Sequence, residues 1–271
     1  MRDFLIDTMG LPMLASEHGR NVDYFIVYLH WLMLALFVGW GSYFVWTLIK
    51  FRSGRNPKAN YHGVQNHAST WLELAVAAIE IVLLLGFAIP LWAKVVETQV
   101  PDENDPNVTV IRVAGEQFLW NSRYAGADGV FGKRDYQLVS QDNKFGYDPA
   151  DSHGRDDIVP PQNVIHAPLG KPVIIHLTSL DVIHGFALHS MRVQQDCIPG
   201  MSVPVHFTAK QPGTYAITCA QLCGSGHYRM RANLTVTSEE DFNNWILENT
   251  PIIEDAPAAG GAAAPAGDAF E

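Results

Sequence analysis

The sequence predicts a membrane-anchored all-β protein, in which a hairpin of two transmembrane helices precedes a β-sandwich or barrel. Three observations support this fold class. Two long apolar runs lie before residue 97, and short alternating segments bounded by Gly, Pro and Asp follow them. Between two of those segments, two of the three cysteines lie close to a histidine and a methionine. Three cysteines are too few for a disulfide framework, so this cluster indicates a metal site.

The first apolar run, Tyr24–Ile49, contains no charged residue. Its 26 residues, at a helical rise of about 1.5 Å each, are longer than a bilayer core is thick. This predicts a tilted transmembrane helix after an outward-facing N-terminal segment, 1–23. A secretory signal fits less well, because the apolar region is too long and no basic residues immediately precede it.

The second apolar run, Trp71–Trp92, includes Glu73 and Glu80. A partner span one short loop earlier favours a transmembrane hairpin, 24–96, over a buried soluble helix. The connecting loop, about 50–70, carries four basic side chains and no acidic one: Lys50, Arg52, Arg55 and Lys58. An excess of basic residues in a short loop is typical of the cytoplasmic side. Both termini and the domain that follows are therefore expected to face outward.

Carboxylates inside a membrane are costly and usually face protein or water. Glu73 lies near the cytoplasmic end of the second run, where a proton could enter from inside; an acid in contact with headgroup water is the simpler alternative. Glu80 follows seven residues later on nearly the same helical face, so it is expected to be protonated, paired or facing another subunit. This face predicts a hairpin that packs on a larger membrane protein.

After the hairpin, six short segments rich in β-branched or aromatic residues predict strands in a soluble domain, 97–250. They are Val108–Val113, Tyr136–Val139, Lys171–Thr178, Val203–Thr208, Gly213–Thr218 and Met230–Val236. The Gly-, Asp- and Pro-rich segment 126–161 predicts a long excursion. Ser238–Asn249 predicts a short helix with Ser238 as its N-cap. The Ala-, Pro- and Gly-rich tail, 251–271, is expected to be disordered.

The soluble part is strongly acidic. From residue 97 onward it carries 22 acidic and 11 basic side chains, and the whole chain has a formal charge of −10. Such a charge repels nucleic acid and suits a basic partner at modest ionic strength. Acidity that only keeps the domain soluble is the alternative interpretation.

The segment Cys219–Met230 carries the metal chemistry. Its candidate ligands are two thiolates, an imidazole and a thioether, from Cys219, Cys223, His227 and Met230. Soft and borderline ligands of this kind favour copper over magnesium, calcium or manganese. Gly224 and Gly226 allow the backbone to fold tightly enough to bring these ligands to one centre.

The same residues have competing interpretations. Cys219 and Cys223 in an oxidising compartment could form a disulfide, whereas structural zinc usually draws a second Cys or His pair and does not use methionine. A mononuclear copper site uses one thiolate and two imidazoles, so the second cysteine here allows two copper ions to share bridging sulfurs. Another imidazole is needed from elsewhere, and the residues alone leave five open: His166, His176, His184, His189 and His206.

The motifs around these residues resemble subunit II of heme–copper cytochrome c oxidases. Cys219–Met230 matches that family's Cys-x-Glu-x-Cys-Gly-x-x-His-x-x-Met run, and Asp181–Phe186 matches its Asp-Val-x-His-Ser-Phe element. The resemblance implies a cupredoxin-like Greek-key sandwich with a binuclear copper centre of the CuA type. The implied ligands are Cys219 and Cys223 as bridges, His184 and His227 as one imidazole for each copper, Met230 as a weak ligand, and the backbone carbonyl of Gln221.

The function that the resemblance implies is one-electron transfer. Electrons arrive from a cytochrome c and pass to a heme-bearing subunit I, which reduces oxygen and pumps protons. The chain is then expected in a bacterial inner (plasma) membrane or equivalent, with its copper domain on the periplasmic side. Asp196, in a stretch that matches Asp-Ala-x-Pro-Gly, is implied as a cytochrome-docking acid, and Glu73 as the residue at the mouth of a proton path.

Three positions depart from the family's pattern. Gln221 replaces a glutamate that helps to bind magnesium at the subunit boundary; a neutral amide is a weaker ligand for a hard cation, which puts that magnesium site in doubt. Phe118, close to Trp120 in the region where electrons arrive, replaces the family's usual aromatic and lacks an indole N–H, so the donor or its docking could differ. Cys197 replaces a small apolar residue. A Cys-x-x-Cys-His motif for heme attachment is absent from the sequence.

Other functions remain open on the sequence alone. A heme–copper nitric oxide reductase could use the same subunit, because the partner decides the reaction. A membrane-tethered copper carrier is a more distant alternative, and the paired intramembrane glutamates favour an oxidase subunit over it. A quinol oxidase subunit is disfavoured, because those proteins lose the cysteines and histidines that are kept here.

Overall fold

The computed structural model describes residues 8–58, 61–63 and 65–251. Residues 1–7 lie outside the described residues, and so does the tail predicted to be disordered, except for its first residue, Pro251. Within the described part, the chain divides into two compact units. One unit holds the helical hairpin. The other holds the β-domain together with residues 12–19, which precede the first long helix in the sequence.

Among the described residues, two helical spans are long and apolar enough to cross a membrane, Gly19–Lys50 and Ala68–Val96. The first is one continuous helix, α1 (Gly19–Lys50). The second consists of α2 (Ala68–Leu83), a π-helical turn (Leu84–Ala88), α3 (Ile89–Ala93) and a second π-helical turn (Lys94–Thr98). Both predicted apolar helices are confirmed. None of the α2 side chains is buried within the chain, so lipid or another membrane protein must cover this apolar surface.

Nine strands make up the described β-domain: β1 (Thr109–Glu116), β2 (Leu119–Tyr124), β3 (Val164–Pro168), β4 (Pro172–Ser179), β5 (His184–Leu188), β6 (Val193–Cys197), β7 (Val203–Thr208), β8 (Gly213–Cys219) and β9 (Arg231–Thr237). One sheet has the order β2-β1-β4-β7 and the other β3-β9-β8-β5-β6. Strands β1 and β4 are parallel, as are β3 and β9. Ile111, Leu177 and Phe186 are fully buried in the core. The predicted β-sandwich is confirmed.

The predicted strand at Tyr136–Val139 is wrong. Residues Tyr136–Leu138 form a single 3₁₀ turn, and the Asp135 carboxylate accepts a hydrogen bond from the Gln137 amide at 2.8 Å. Tyr136 is 82% exposed, so its β-forming side chain has no sheet surface to pack on. The β-propensity of these residues does not produce a strand, because strand formation depends on neighbouring strands. The hydrogen bond to Asp135 stabilises the 3₁₀ turn instead.

Four strands, β2, β3, β5 and β6, are absent from the sequence-based prediction. In β2, Asn121 and Arg123 are buried, although such side chains usually mark a solvated face. The excursion, residues 126–161, accounts for this burial. Arg123 forms a buried ion pair with Asp157, and Tyr124 exchanges backbone hydrogen bonds with Ile158 at 2.9 and 3.0 Å. A polar face can thus belong to a strand when a loop covers it.

The predicted C-terminal helix is confirmed as α4 (Glu239–Asn249). The Ser238 hydroxyl accepts a hydrogen bond from the Asp241 amide at 3.1 Å, which is the predicted N-cap. Phe242 is buried, and Trp245 packs against the same core. The helix therefore closes the domain after β9.

Candidate metal centre

The predicted ligand loop connects β8 to β9 at one end of the five-stranded sheet. Cys219 is the last residue of β8, and Met230 immediately precedes β9. His184 is the first residue of β5, which lies beside β8 in the sheet. The Ala220 amide donates a 2.8 Å hydrogen bond to the Gly185 carbonyl. The sheet therefore brings a histidine that is distant in sequence next to the loop.

Cys219 stands at one side of the centre. Its Sγ lies 3.8 Å from the Cys223 Sγ and 3.9 Å from the His184 Nδ1. The carbonyl oxygen of Gln221 lies 3.1 Å from the same sulfur. One thiol, one imidazole nitrogen and one backbone oxygen thus surround Cys219.

Cys223 has a matching environment on the other side. Its Sγ lies 3.7 Å from the His227 Nδ1 and 3.8 Å from the Met230 Sδ. Each cysteine therefore has one imidazole nitrogen and one weaker donor beside it, and the two thiols face each other.

The donor set fits a soft metal. The ligand atoms of His184, Cys219 and Cys223 lie within 4.8 Å of one another. His184 and Met230 are almost completely buried. Thiolate, thioether and imidazole ligands in a water-poor site suit copper. The disulfide alternative is not realised, since both cysteines are free thiols.

Asp181 orients the His184 ring. Its Oδ1 lies 2.8 Å from the His184 Nε2, and its Oδ2 accepts a hydrogen bond from the Gln117 amide at 2.7 Å. Partial burial would raise the pKa of Asp181, but hydrogen bonds from His184 and from the Gln117 and Val182 amides lower it below the usual value. An ionised Asp181 holds the proton of His184 on Nε2, so Nδ1 faces the sulfur.

Two glycines allow the close packing of this region. A Cβ atom at Gly115 would lie 2.9 Å from the His184 ring, and one at Gly185 would lie 2.9 Å from the Gln221 amide nitrogen. Gly185 occupies the position of the serine in the family motif. The absence of a side chain there lets β5 approach the ligand loop.

The Cys223 thiol of the centre holds its proton tightly. Burial, together with the neighbouring Cys219 thiol, raises the pKa of Cys223 to about 11. A metal that binds this thiol as a thiolate must displace a proton. Burial also raises the pKa of Cys197, the cross-strand neighbour of His184, to about 12. Nothing in the structure explains functionally why a cysteine occupies position 197.

The two aromatic residues that the resemblance assigned to electron uptake lie at different depths. Phe118 is partly buried against the core, and its ring occupies the space beside Gly226 that a side chain there would need. Trp120 is 1% exposed and lies edge-on to His184, with ring centroids 6.0 Å apart. Only Phe118 therefore lies over the ligand loop.

Exposed apolar side chains flank the ligands. Leu222 and Tyr228 are 79% and 78% exposed, and Val182 and Ile183 precede His184 with partial exposure. Asp196, the predicted docking acid, is half-buried on β6. The rim of the centre is thus more apolar than the strongly acidic domain as a whole.

Gln221 points its side chain outward, because the residue is exposed while its carbonyl oxygen faces Cys219. Glu73 lies on α2, in the helical unit, where its side chain is exposed. Glu80 is likewise exposed seven residues later on the same helix. The structure thus brings together the six predicted ligand positions, all of which belong to the unit that holds the β-domain.

The other candidate histidines lie in separate environments. His166 stacks on Trp245 with centroids 4.3 Å apart, and His176 pairs with Glu103 at 2.8 Å. His206 lies beside His18, and the His189 Nε2 lies 3.5 Å from the Thr218 hydroxyl oxygen. The sequence-based prediction assigned no role to Asp181, which contacts His184, or to Gln117, whose amide donates to Asp181. Their membership of the two short motifs around His184 and Trp120 was the available signal.

The chain is similar to several known proteins. A family model described as the cytochrome c oxidase subunit II periplasmic domain matches residues 109–237. The alternative cytochrome c oxidase subunit 2 of Bradyrhizobium diazoefficiens is 30% identical over 216 residues, which cover 80% of this chain and 76% of that protein. Cytochrome c oxidase subunit 2 of Cyanidium caldarium is 28% identical over 221 residues, covering 79% of each chain. The crystal structure of the periplasmic domain of cytochrome oxidase subunit II from Bradyrhizobium japonicum is 28% identical with a TM-score of 0.40, covering 56% of this chain and 96% of that chain.

Proposed function

Because this chain belongs to the cytochrome c oxidase subunit II family, we propose that its β-domain accepts single electrons from a cytochrome c at a binuclear copper centre. The chain is the membrane-anchored electron-transfer subunit of a heme–copper terminal oxidase. Oxygen reduction, with the coupled proton pumping, takes place in the heme-bearing partner subunit. One observation carries the two-copper proposal: each of the two facing sulfurs has its own imidazole nitrogen, at 3.9 and 3.7 Å.

In this proposal the Cys219 and Cys223 thiolates would hold two copper ions between them. The remaining residues would supply one imidazole and one weaker donor beside each sulfur: His184 with the Gln221 carbonyl, and His227 with Met230. A mononuclear site would leave one thiolate without a role, and zinc would leave Met230 without one. When bound, the copper pair supplies a one-electron carrier whose charge is shared through both sulfurs.

The protein's contribution is to hold the ligands still. β8, β9 and β5 fix the ends of the ligand loop and the position of His184. Asp181 keeps the Nε2 of His184 protonated, which leaves Nδ1 as the ligand atom. The burial of His184 and Met230 excludes water. Ligands that cannot move on a change of charge make electron transfer fast, since little structure has to reorganise.

We assign the docking of the electron donor to the rim of the ligand loop. Phe118 is the aromatic residue that lies over the loop, whereas Trp120 supports His184 from the interior. Leu222 and Tyr228 offer apolar contact beside the ligands. Asp196 and the acidic charge of the domain attract a basic cytochrome from a distance.

We assign the helical hairpin the role of binding the partner subunit in the membrane. The exposed apolar surface of α2 packs on the heme-bearing subunit, and Glu73 lies at the mouth of a proton path there. We divide the chain into an outward-facing segment 1–23, a hairpin 24–96 with its basic loop on the cytoplasmic side, and a copper domain 97–250. A bacterial inner membrane, with this domain in the periplasm, fits that orientation. Magnesium is not part of the proposal, because Gln221 presents an amide.

Metal analysis and spectroscopy of the purified full-length chain test the proposal. Two copper ions per chain are expected, with an electron paramagnetic resonance signal of the partly oxidised form that is split by two equivalent copper nuclei. One copper ion, or zinc, per chain would contradict it. Co-purification with a heme subunit that consumes oxygen and not nitric oxide identifies the terminal acceptor.

A further inference from the structure

Residues 12–19, the N-terminal strap, pack against the β-domain although they lie far from it in sequence. The Glu17 amide donates to the Thr208 carbonyl at 3.0 Å, and the Lys210 amide donates to the Ala15 carbonyl at 2.7 Å. The strap thus pairs antiparallel with the chain at the end of β7, the edge strand of the four-stranded sheet.

Further contacts fix the strap on its other side. The Ser16 hydroxyl donates to the Met191 carbonyl at 2.7 Å, and the Arg192 guanidinium donates to the Pro12 carbonyl at 2.8 Å. Gly19 has no room for a side chain, because a Cβ atom there would lie 2.8 Å from the Arg192 side chain. Residue 18, between these anchors, is therefore held in a defined place.

That residue is a histidine that lies against a second histidine. The ring centroids of His18 and His206, on β7, are 6.2 Å apart, and the rings are inclined by 47°. The Arg192 carbonyl accepts a hydrogen bond from the His18 ring, so the other His18 ring nitrogen carries a lone pair. Burial, and then His206, lower the pKa of His18 from its usual value. A lowered pKa favours the neutral ring, which is the form that binds metal ions.

We propose that His18 and His206 bind a divalent transition metal ion, with zinc as the simplest candidate, at a site separate from the copper centre. Imidazole nitrogens suit zinc, copper(II) and nickel. A carbonyl that accepts a hydrogen bond from the second ring nitrogen is the usual partner of a metal-bound histidine. This is the arrangement of His18 and Arg192.

The proposal requires the two rings to move closer together. With Zn–N distances of about 2.0–2.1 Å and tetrahedral angles, two imidazoles on one zinc ion have ring centroids about 5 Å apart, against 6.2 Å for His18 and His206. Glu17 is not a ligand, because its carboxylate pairs with Lys210 at 3.0 Å. Two water molecules would complete the tetrahedral coordination, because two histidines supply fewer protein ligands than the three or four of most zinc sites. The ion fixes the strap on β7 immediately before α1 begins.

Zinc titration of the full-length chain, with its copper centre already filled, tests the site. We expect one zinc ion more per wild-type chain than per His18→Gln or His206→Gln chain. The matched control is His153→Gln, which removes an exposed histidine of the same domain. An unchanged copper spectrum in each variant shows that the domain is folded and that zinc has not replaced copper.

Hydrogen exchange gives a local measurement that does not depend on activity. At a zinc concentration about ten times the dissociation constant, the amides of Ala15 and Glu17 should exchange about tenfold more slowly in the wild-type chain. They should not respond to zinc in His18→Gln. The proposal would be overturned by equal zinc binding in wild type and His18→Gln, or by an equal loss of zinc binding in His153→Gln. It would also be overturned if zinc left the exchange rates of the wild-type amides unchanged.

Discussion

The ligand loop, 219–230, and the excursion, 126–161, both connect strands, but different forces hold them. In the ligand loop, two thiols face each other 3.8 Å apart with imidazoles beside them. In the excursion, carboxylates accept hydrogen bonds from backbone amides, and Asp157 forms a buried ion pair with Arg123. The thiols and imidazoles of the ligand loop are stabilised most when a metal ion binds them. The carboxylates of the excursion are already stabilised by backbone amides and by Arg123.

The stability of two loops in one domain can therefore depend on separate variables. A metal ion that binds only the folded protein increases the free energy of unfolding. In this domain that increase comes from metal binding at the ligand loop. The excursion depends on the pairing of buried charge. Variants that affect one loop should leave the properties of the other unchanged.

The largest expected effect is that of Cys223→Ser. The serine hydroxyl does not bridge copper ions, so the copper content should fall from two to at most one per chain. The signal split by two equivalent copper nuclei should vanish. Metal analysis and electron paramagnetic resonance of the purified chain measure both.

Cys197→Ala is the matched control for this change. It removes a buried cysteine that lies next to His184 across the strands but outside the proposed ligand set. Two copper ions and the split signal should remain. Retention of the split signal in Cys223→Ser, or its loss in Cys197→Ala, would show that the ligand assignment is wrong.

Asp157→Asn should have the largest effect on stability within the excursion. The Arg123 and Asp157 side chains are 0% and 2% exposed. Removing one partner leaves a buried, uncompensated charge, which costs about 3–5 kcal/mol of the free energy of unfolding. Denaturant unfolding measures the loss, and the copper signal of the folded protein should stay as in the wild type.

The control for this variant is Asp142→Asn, which neutralises an exposed acid of the same excursion. Its unfolding midpoint should match that of the wild type. If both substitutions destabilise the domain equally, overall charge rather than the buried ion pair stabilises the excursion.

Asp181→Ala should have an intermediate effect, confined to the ligand loop. Without the carboxylate, the His184 ring loses the partner that fixes its proton on Nε2. Loss of such a partner typically lowers metal affinity by about 10- to 100-fold. Competition with a copper chelator measures the change. Asp196→Asn, which alters the acid paired with Gly185 across β5 and β6, should keep wild-type affinity; an equal loss there would point to net charge instead.

The smallest effect is expected from His153→Gln in the excursion, and it should depend on pH. The hydrogen bond to Asp128 raises the pKa of the exposed His153 above its usual value. A histidine with a raised folded-state pKa contributes stability that is present below its unfolded pKa and is lost as pH rises through the folded pKa. The stability difference between wild type and variant should therefore be larger at pH 6 than at pH 8. A difference that grows with pH would contradict this sign.

Much of the molecule could be predicted from local patterns. The apolar run Tyr24–Ile49 predicts its helix, and Ser238 marks the start of α4. The strand at Tyr136–Val139 failed because β-propensity describes a fit to a sheet surface, and position 136 has none. Strand β2 was missed for the opposite reason. Its Arg123 looks like a surface residue until the excursion supplies Asp157.

The chemistry of the metal centre follows from residues that are close together along the chain. Cys219, Cys223, His227 and Met230 lie close enough along the chain to imply a soft metal without any fold. The choice of His184 needed either the family resemblance or the sheet, because contacts between residues distant in sequence depend on strand pairing. Only the tertiary structure placed the Asp181 carboxylate on Nε2 of His184. It also brought His18 to His206 across most of the chain. The local sequence determines which ligand side chains lie near each other along the chain. The pairing of β5 with β8 brings His184 to the ligand loop, and the pairing of the strap with β7 brings His18 to His206.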